Sequence, residues 1–274
     1  MAGARDLRSL VASADLPLGT LIDRTMLGRW HAPLLWRADS PAGPDAWERM
    51  LPVRDGTGLW PVLLGRDGRG TRVEDDLLPG AVPGADGAEA ADGTVDGAVD
   101  AGDVLARWWA EHTARGPAGD AEALRPYGAR WPGPAPPAAE AGDPDAAAAG
   151  VARSLVAHGT LRDPRIALVP ARHSGEVPTA IGWTGTLACG DGAAPFGAVL
   201  RSWEERFGIR VVALELDVLH LSVPSPPRDL AEALPLAAEH FAFCPAVVRQ
   251  GPGTLARYAE KWLIGRDHWS FWWD

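Results

Sequence analysis

Apolar and polar positions sort most clearly after residue 195. In "PFGAVLRSWEERFG" the residues Val199, Leu200, Trp203 and Phe207 recur at helical spacing, and Gly208 stops the pattern. "IRVVALELDVLHLSV" (209–223) is rich in β-branched and aliphatic residues and predicts a hairpin turning near Glu215–Asp217. "DLAEALPLAAEHFAF" (229–243) carries Leu230, Ala233, Leu234, Ala237 and Phe241 on one helical stripe, with Asp229 and Glu232 spaced as a capping box. Pro235 interrupts that stripe at a cost of about 3 kcal/mol in a helix interior, so a kink or a start near Pro235 is expected. "TLARYAEKWLIG" (254–265) predicts a helix capped by Thr254, ended by Gly265 and buried along Leu255, Tyr258, Ala259 and Trp262.

The period then switches from helical to two. In the terminal "HWSFWWD", Trp269, Phe271 and Trp273 alternate with His268, Ser270, Trp272 and Asp274. A face of three aromatics opposite a mostly polar face predicts a closing strand packed on helices.

Upstream the pattern is weaker. "GLWPVLLG" (58–65) predicts a strand, with Pro61 implying an edge or strand-start position. "DVLARWWAEHTARG" predicts a helix capped by Asp103. "AAAAGVARSLVAHG" (146–159) predicts a helix, "RIALVPA" (165–171) a strand and "VPTAIGW" (177–183) a short helix or turn. Residues 79–102 contain no apolar side chain larger than valine, so residues 74–102 are expected to form an acidic loop. The Pro/Ala-rich run 133–145 is expected to link a Trp-rich α+β N-terminal region, 1–132, to a C-terminal domain, 146–274. Helix, two strands, two helices and a strand make the expected fold class α+β, with a small mixed sheet covered by helices in the C-terminal domain.

Composition narrows the function classes. The 274 residues carry a net charge of −10, and residues 74–120 hold 11 acids against 2 arginines. This balance gives no basic face for nucleic acid or anionic membrane, and neither partner is expected. No 18-residue apolar run or leader-like h-region occurs, so a cytoplasmic protein is expected. Cys189 and Cys244 alone form no disulfide framework and no cysteine-rich zinc site; no metal and no cofactor are expected. The single lysine, Lys261, lies in a helix pattern rather than a phosphate-binding loop. "GPGTLA" (251–256) spells a dinucleotide fingerprint but follows a helix instead of a strand. No HExxH, CxxC or GxSxG motif is present.

The strings "AVLRSWEERFG", "LHLSV", "AAEHFAFCP", "QGPGTLARYAE" and "WSFWWD", in that order, resemble the bacterial "domain of unknown function 4253" family over roughly 160–274, with an N-terminal extension of actinobacterial type. The resemblance implies an α+β domain and assigns no activity. The chain departs from the family pattern at Ala246-Val247, after Phe-Cys-Pro.

Candidate chemistry converges on a few side chains. His240 and Cys244 are four apart on one helix face, the spacing of a base and a nucleophile. A helix C-terminus disfavours a thiolate, which argues for a buried, inert thiol instead. In an extended strand His268, Ser270 and Asp274 stand about 7 Å apart at each step, too far for a triad. A groove lined by His268, Trp272 and Asp274, with Tyr258 or Gln250 as partners, is the candidate site. The first functional expectation is a non-enzymatic module with a protein partner, regulatory or immunity-type. The alternative is a small hydrolase using His240, Cys244, His268 and Asp274.

Overall fold

The computed structural model describes residues 6–26, 28–78, 99–115, 120–140, 142–189 and 192–273. Residues 79–98, most of the expected acidic loop, and Asp274 lie outside the described residues.

The strands are β1 (Gly19–Ile22), β2 (Leu35–Ala38), β3 (Leu59–Leu64), β4 (Arg165–Pro170), β5 (Arg210–Leu214), β6 (Val218–Ser222) and β7 (His268–Trp272). They form one mixed sheet in the order β1-β2-β4-β3-β5-β6-β7, antiparallel except for β3 against β5. The class is α+β, as the element pattern predicts. The sheet is larger than expected, because strands from before and after the Pro/Ala-rich run 133–145 alternate within it.

The helices before that run are α1 (Leu7–Ser13), α2 (Leu51–Thr57), α3 (Ala101–Arg115) and α4 (Asp120–Ala123). Those after it are α5 (Pro144–Ala157), α6 (Val177–Ala180), α7 (Ala193–Phe207), α8 (Leu230–Phe243), α9 (Ala246–Arg249) and α10 (Leu255–Tyr258). Helices α3, α7, α8 and α10 cover one face, over Val62, Val211, Leu221, Trp269 and Phe271. Helices α1 and α5 cover the other, over Trp36, Leu63, Leu168 and Ala213.

Trp269 and Phe271 are buried while His268, Ser270 and Trp272 are half-buried, so the alternation in "HWSFWWD" is that of a closing strand. Trp203 of α7 lies 5.4 Å from Phe271, 5.8 Å from Trp269 and 4.9 Å from Phe243, joining two helices and the strand in one aromatic core.

Several expectations are corrected. Pro61 lies in an interior strand, not an edge one. β5 pairs with β3 only from Leu63 onward, and the Pro61 carbonyl accepts from Trp47 Nε1 at 3.1 Å, so no neighbouring strand needs the N–H that proline lacks. The cap of α3 is Asp100, whose carboxylate accepts from the Asp103 N–H at 2.9 Å. Helix α8 starts at Leu230, capped by Asp229, and runs through Pro235. After α10 the chain makes a π-turn over Ala259–Leu263, closed by Ile264 N–H to Ala259 O at 3.0 Å. The extra residue per turn rotates Trp262 outward to 51 % exposure and places Leu263 in the core instead.

Candidate functional site

The sequence-predicted residues separate into three places. His240 and Tyr258 meet in the core between α8 and α10, with His240 Nδ1 3.0 Å from the Tyr258 hydroxyl. Trp203, Trp269 and Phe271 surround the imidazole at ring distances of 4.5–5.1 Å, and its Nε2 has no hydrogen-bond partner. Burial, reinforced by the nearby Arg206 charge, holds the His240 pKa well below the usual imidazole value. Burial, and then Cys244, raises that of Tyr258. Both side chains therefore stay neutral at physiological pH, and the pair fastens α8 to α10.

Cys244, Gln250 and Trp272 form the second group, where α8 ends against β7. The buried Cys244 thiol donates to the Trp272 carbonyl at 3.0 Å, and Trp272 Nε1 donates to Gln250 Oε1 at 3.1 Å. The thiol is thus held as a donor in the packing, the inert role that its place at a helix C-terminus implies.

His268 belongs to the third group, on the sheet face opposite Trp269 and Phe271. Register sets Ser222 opposite His268 and His220 opposite Ser270. His268 Nε2 lies 3.1 Å from His220 Nδ1, and His220 Nε2 lies 3.3 Å from Glu215 Oε1 at the hairpin turn. The carboxylate accepts a hydrogen bond from His220 Nε2, and the two imidazoles share another across the strand pair. Burial, with a smaller contribution from His220, pushes the His268 pKa down to about 4. The Ser222 hydroxyl is buried beside the pair without a partner. A register shift between Val211 and Ala213 sits across from His220 and brings both Val212 and Ala213 onto the face covered by α5.

The hydrolase groove expected from His240, Cys244, His268 and Asp274 does not assemble from the described residues: His240 and His268 lie on opposite faces of the sheet, and Asp274 is outside them. Glu215 and His220 were missed by the sequence reading. The signal was present in "LHLSV", where His220 and Ser222 alternate with leucines on the polar face that continues into His268 and Ser270.

A second unforeseen feature is a groove of about 660 Å³ beside the Pro/Ala-rich run. Pro136 and Pro137 form one wall, Pro224, Pro226 and Pro227 the other, and Phe207, Leu236 and Ile264 the floor. At the rim Arg228 bridges Glu140 and Glu232, each at 3.2 Å. The Pro-rich wall is anchored from below by Glu239, which is fully buried. Its carboxylate accepts from Ala135 N–H at 2.6 Å, Trp203 Nε1 at 2.7 Å and Arg206 at 2.6 and 2.7 Å. Arg206 also donates to the Ala135 carbonyl at 2.8 Å. Glu204 accepts from Ser174 and Gly175 N–H and from Arg210.

Residues 165–274 match the model of a domain of unknown function, DUF4253. Over these residues, 110 of the 274, the chain is similar to the DUF4253 family. The match takes in β4–β7 and α6–α10, and so holds all three groups of candidate residues. Comparisons with curated proteins and with solved structures each find no match. Among the described residues no helix is long and apolar enough to cross a membrane, and no group of three or more His, Cys, Asp or Glu side chains is arranged to hold a metal ion.

Proposed function

We propose that this protein is a non-enzymatic, cytoplasmic protein-binding module of regulatory or immunity type, and that the proline-walled groove receives the partner. The observation that carries this reading is the chemistry of the groove. Five prolines supply apolar walls with no N–H. Two neighbouring backbone donors are already used, Ala138 N–H on Arg206 O and Gly265 N–H on Pro227 O. The walls therefore offer carbonyl acceptors and apolar surface. With two acids against one arginine at the rim, and a chain charge of −10, the complementary occupant is an extended apolar segment of a protein carrying lysine or arginine.

The test is capture from native lysate with the wild type and with Ile264→Asp, which places a charge on the half-buried groove floor. The reading expects a stoichiometric partner on the wild type that is lost from the variant. Equal retention by both, or none by the wild type, would refute it.

A further inference from the structure

We propose that a second copy of this chain pairs with the free edge of β1, continuing the sheet across a twofold axis at Thr20. The surface is separate from the groove and does not depend on the proposed function.

The sheet ends in β1 on one side and β7 on the other. On β7 the outward Trp272 carbonyl accepts from the Cys244 thiol, and α9 packs beside the strand. On β1 the outward backbone groups are open. Leu18 C=O accepts from Asp39 N–H at 3.0 Å and Ile22 C=O from Leu34 N–H at 2.9 Å, so these positions face the β2 side. Backbone direction alternates along an antiparallel ladder, so Gly19 and Leu21 turn their N–H and C=O away from β2. Native sheets blunt such an edge with charge, proline, a bulge or a covering segment. Strand β1 has no charged residue, no proline and no register shift, and Gly19 and Thr20 are exposed.

The edge is complementary to itself. An antiparallel copy related by a twofold axis at Thr20 sets Gly19 opposite the copy's Leu21, and each such pair exchanges both N–H to C=O bonds. Leu18 then faces Ile22 of the copy in a non-hydrogen-bonded pair, with Cα atoms about 4.5 Å apart and side chains in contact. Leu18, 86 % exposed, is the most exposed large apolar side chain among the described residues, and this pairing covers it. The same register sets Leu16 opposite Arg24, which brings the exposed Asp15 within reach of the copy's exposed guanidinium. Neither Asp15 nor Arg24 has an ion pair among the described residues, whereas the neighbouring Asp23 is held by Arg8 at 3.7 Å. Each copy supplies both charges, so the axis makes the Asp15–Arg24 pair at either end of the seam. This complementarity selects a second copy over an unrelated strand.

The experiment is sedimentation equilibrium of the full-length chain up to about 1 mM, where even a millimolar Kd shows. Amide exchange at Gly19 and Leu21 is followed by NMR over the same range. The expected result is a monomer–dimer equilibrium in which those two amides, open in the monomer, become protected as the dimer fills. Leu18→Lys, at a site exposed in the monomer, should leave the chain monomeric. Arg24→Asp should weaken the dimer about tenfold, and adding Asp15→Arg should restore most of that loss. The exchange arm reads the wild type and holds even where a variant fails to fold. A monomer at every concentration, a dimer unchanged by Leu18→Lys, no rescue by the charge swap, or protection that leaves Gly19 and Leu21 open would overturn the proposal. None of these results bears on the proline-walled groove.

Discussion

Replacing Glu239 with glutamine tests how the Pro-rich wall is held. The native carboxylate takes four hydrogen bonds, from Ala135, Trp203 and both terminal nitrogens of Arg206. An amide of the same shape keeps one acceptor oxygen and turns the other position into a donor, set against the Trp203 and Arg206 donors. Arg206, only 15 % exposed, loses its counter-ion. Removing one partner of a buried ion pair costs about 3–5 kcal/mol. The partial exposure of Arg206 puts the expected loss near the lower figure, about 3 kcal/mol. At about 2–4 °C per kcal/mol for a chain of this size, Tm should fall by roughly 6–12 °C. Urea unfolding followed by tryptophan fluorescence measures the free energy directly, and hydrogen exchange at the Ala135 amide reports the local release of the wall. In a double-mutant cycle with Arg206→Gln, the double variant should be little worse than either single one. A Tm within about 2 °C of wild type, or additive single losses, would refute this account of the wall.

Three further outcomes follow from the packing. Deleting residues 269–274 removes Trp269 and Phe271 from the core and should abolish the cooperative thermal transition seen by circular dichroism; an unchanged melt would contradict the closing-strand assignment. Because the π-turn exchanges the two positions, Leu263→Ala should cost about 2–5 kcal/mol in urea unfolding while Trp262→Ala stays within about 0.5 kcal/mol. His240 and His268 are both held neutral in the fold, whereas an unfolded imidazole binds its proton near pH 6.5. Stability should therefore be complete above pH 6.5 and fall as the pH drops toward about 4, and His268→Gln should flatten part of that slope by about 1–3 kcal/mol after allowance for its open edge; a urea midpoint constant over that range would contradict it.

The parts legible in the sequence are those in which a single element sorts its own side chains. The α7 stripe of Val199, Leu200, Trp203 and Phe207 and the alternation of the terminal strand each need only a period, and both are buried as the period requires. Trp262 shows the limit of this logic: one inserted residue in a turn shifts the inward face by a position, and no composition signal marks it. The site depended on pairing between elements. His240 and Cys244 share a helix face, yet each finds its partner elsewhere, in Tyr258 and in the Trp272 carbonyl. Glu215, His220 and His268 become neighbours only once β6 and β7 are paired in register. The Pro/Ala-rich run reads as a spacer because its composition is that of one. Ala135, bonded through both N–H and C=O to the Glu239–Arg206 pair 104 and 71 residues away, makes it a packed wall.

Site-specific photocrosslinking in living cells tests the central claim, that the proline-walled groove is where a protein partner sits. A photoreactive phenylalanine analogue at the exposed Ala139 on the groove wall should give a discrete adduct with one partner protein, whereas the same probe at the exposed Met26, on the opposite part of the sheet, should give none. Adducts from Met26 with the same partner, or none from Ala139 under conditions in which the partner co-purifies, would contradict the account.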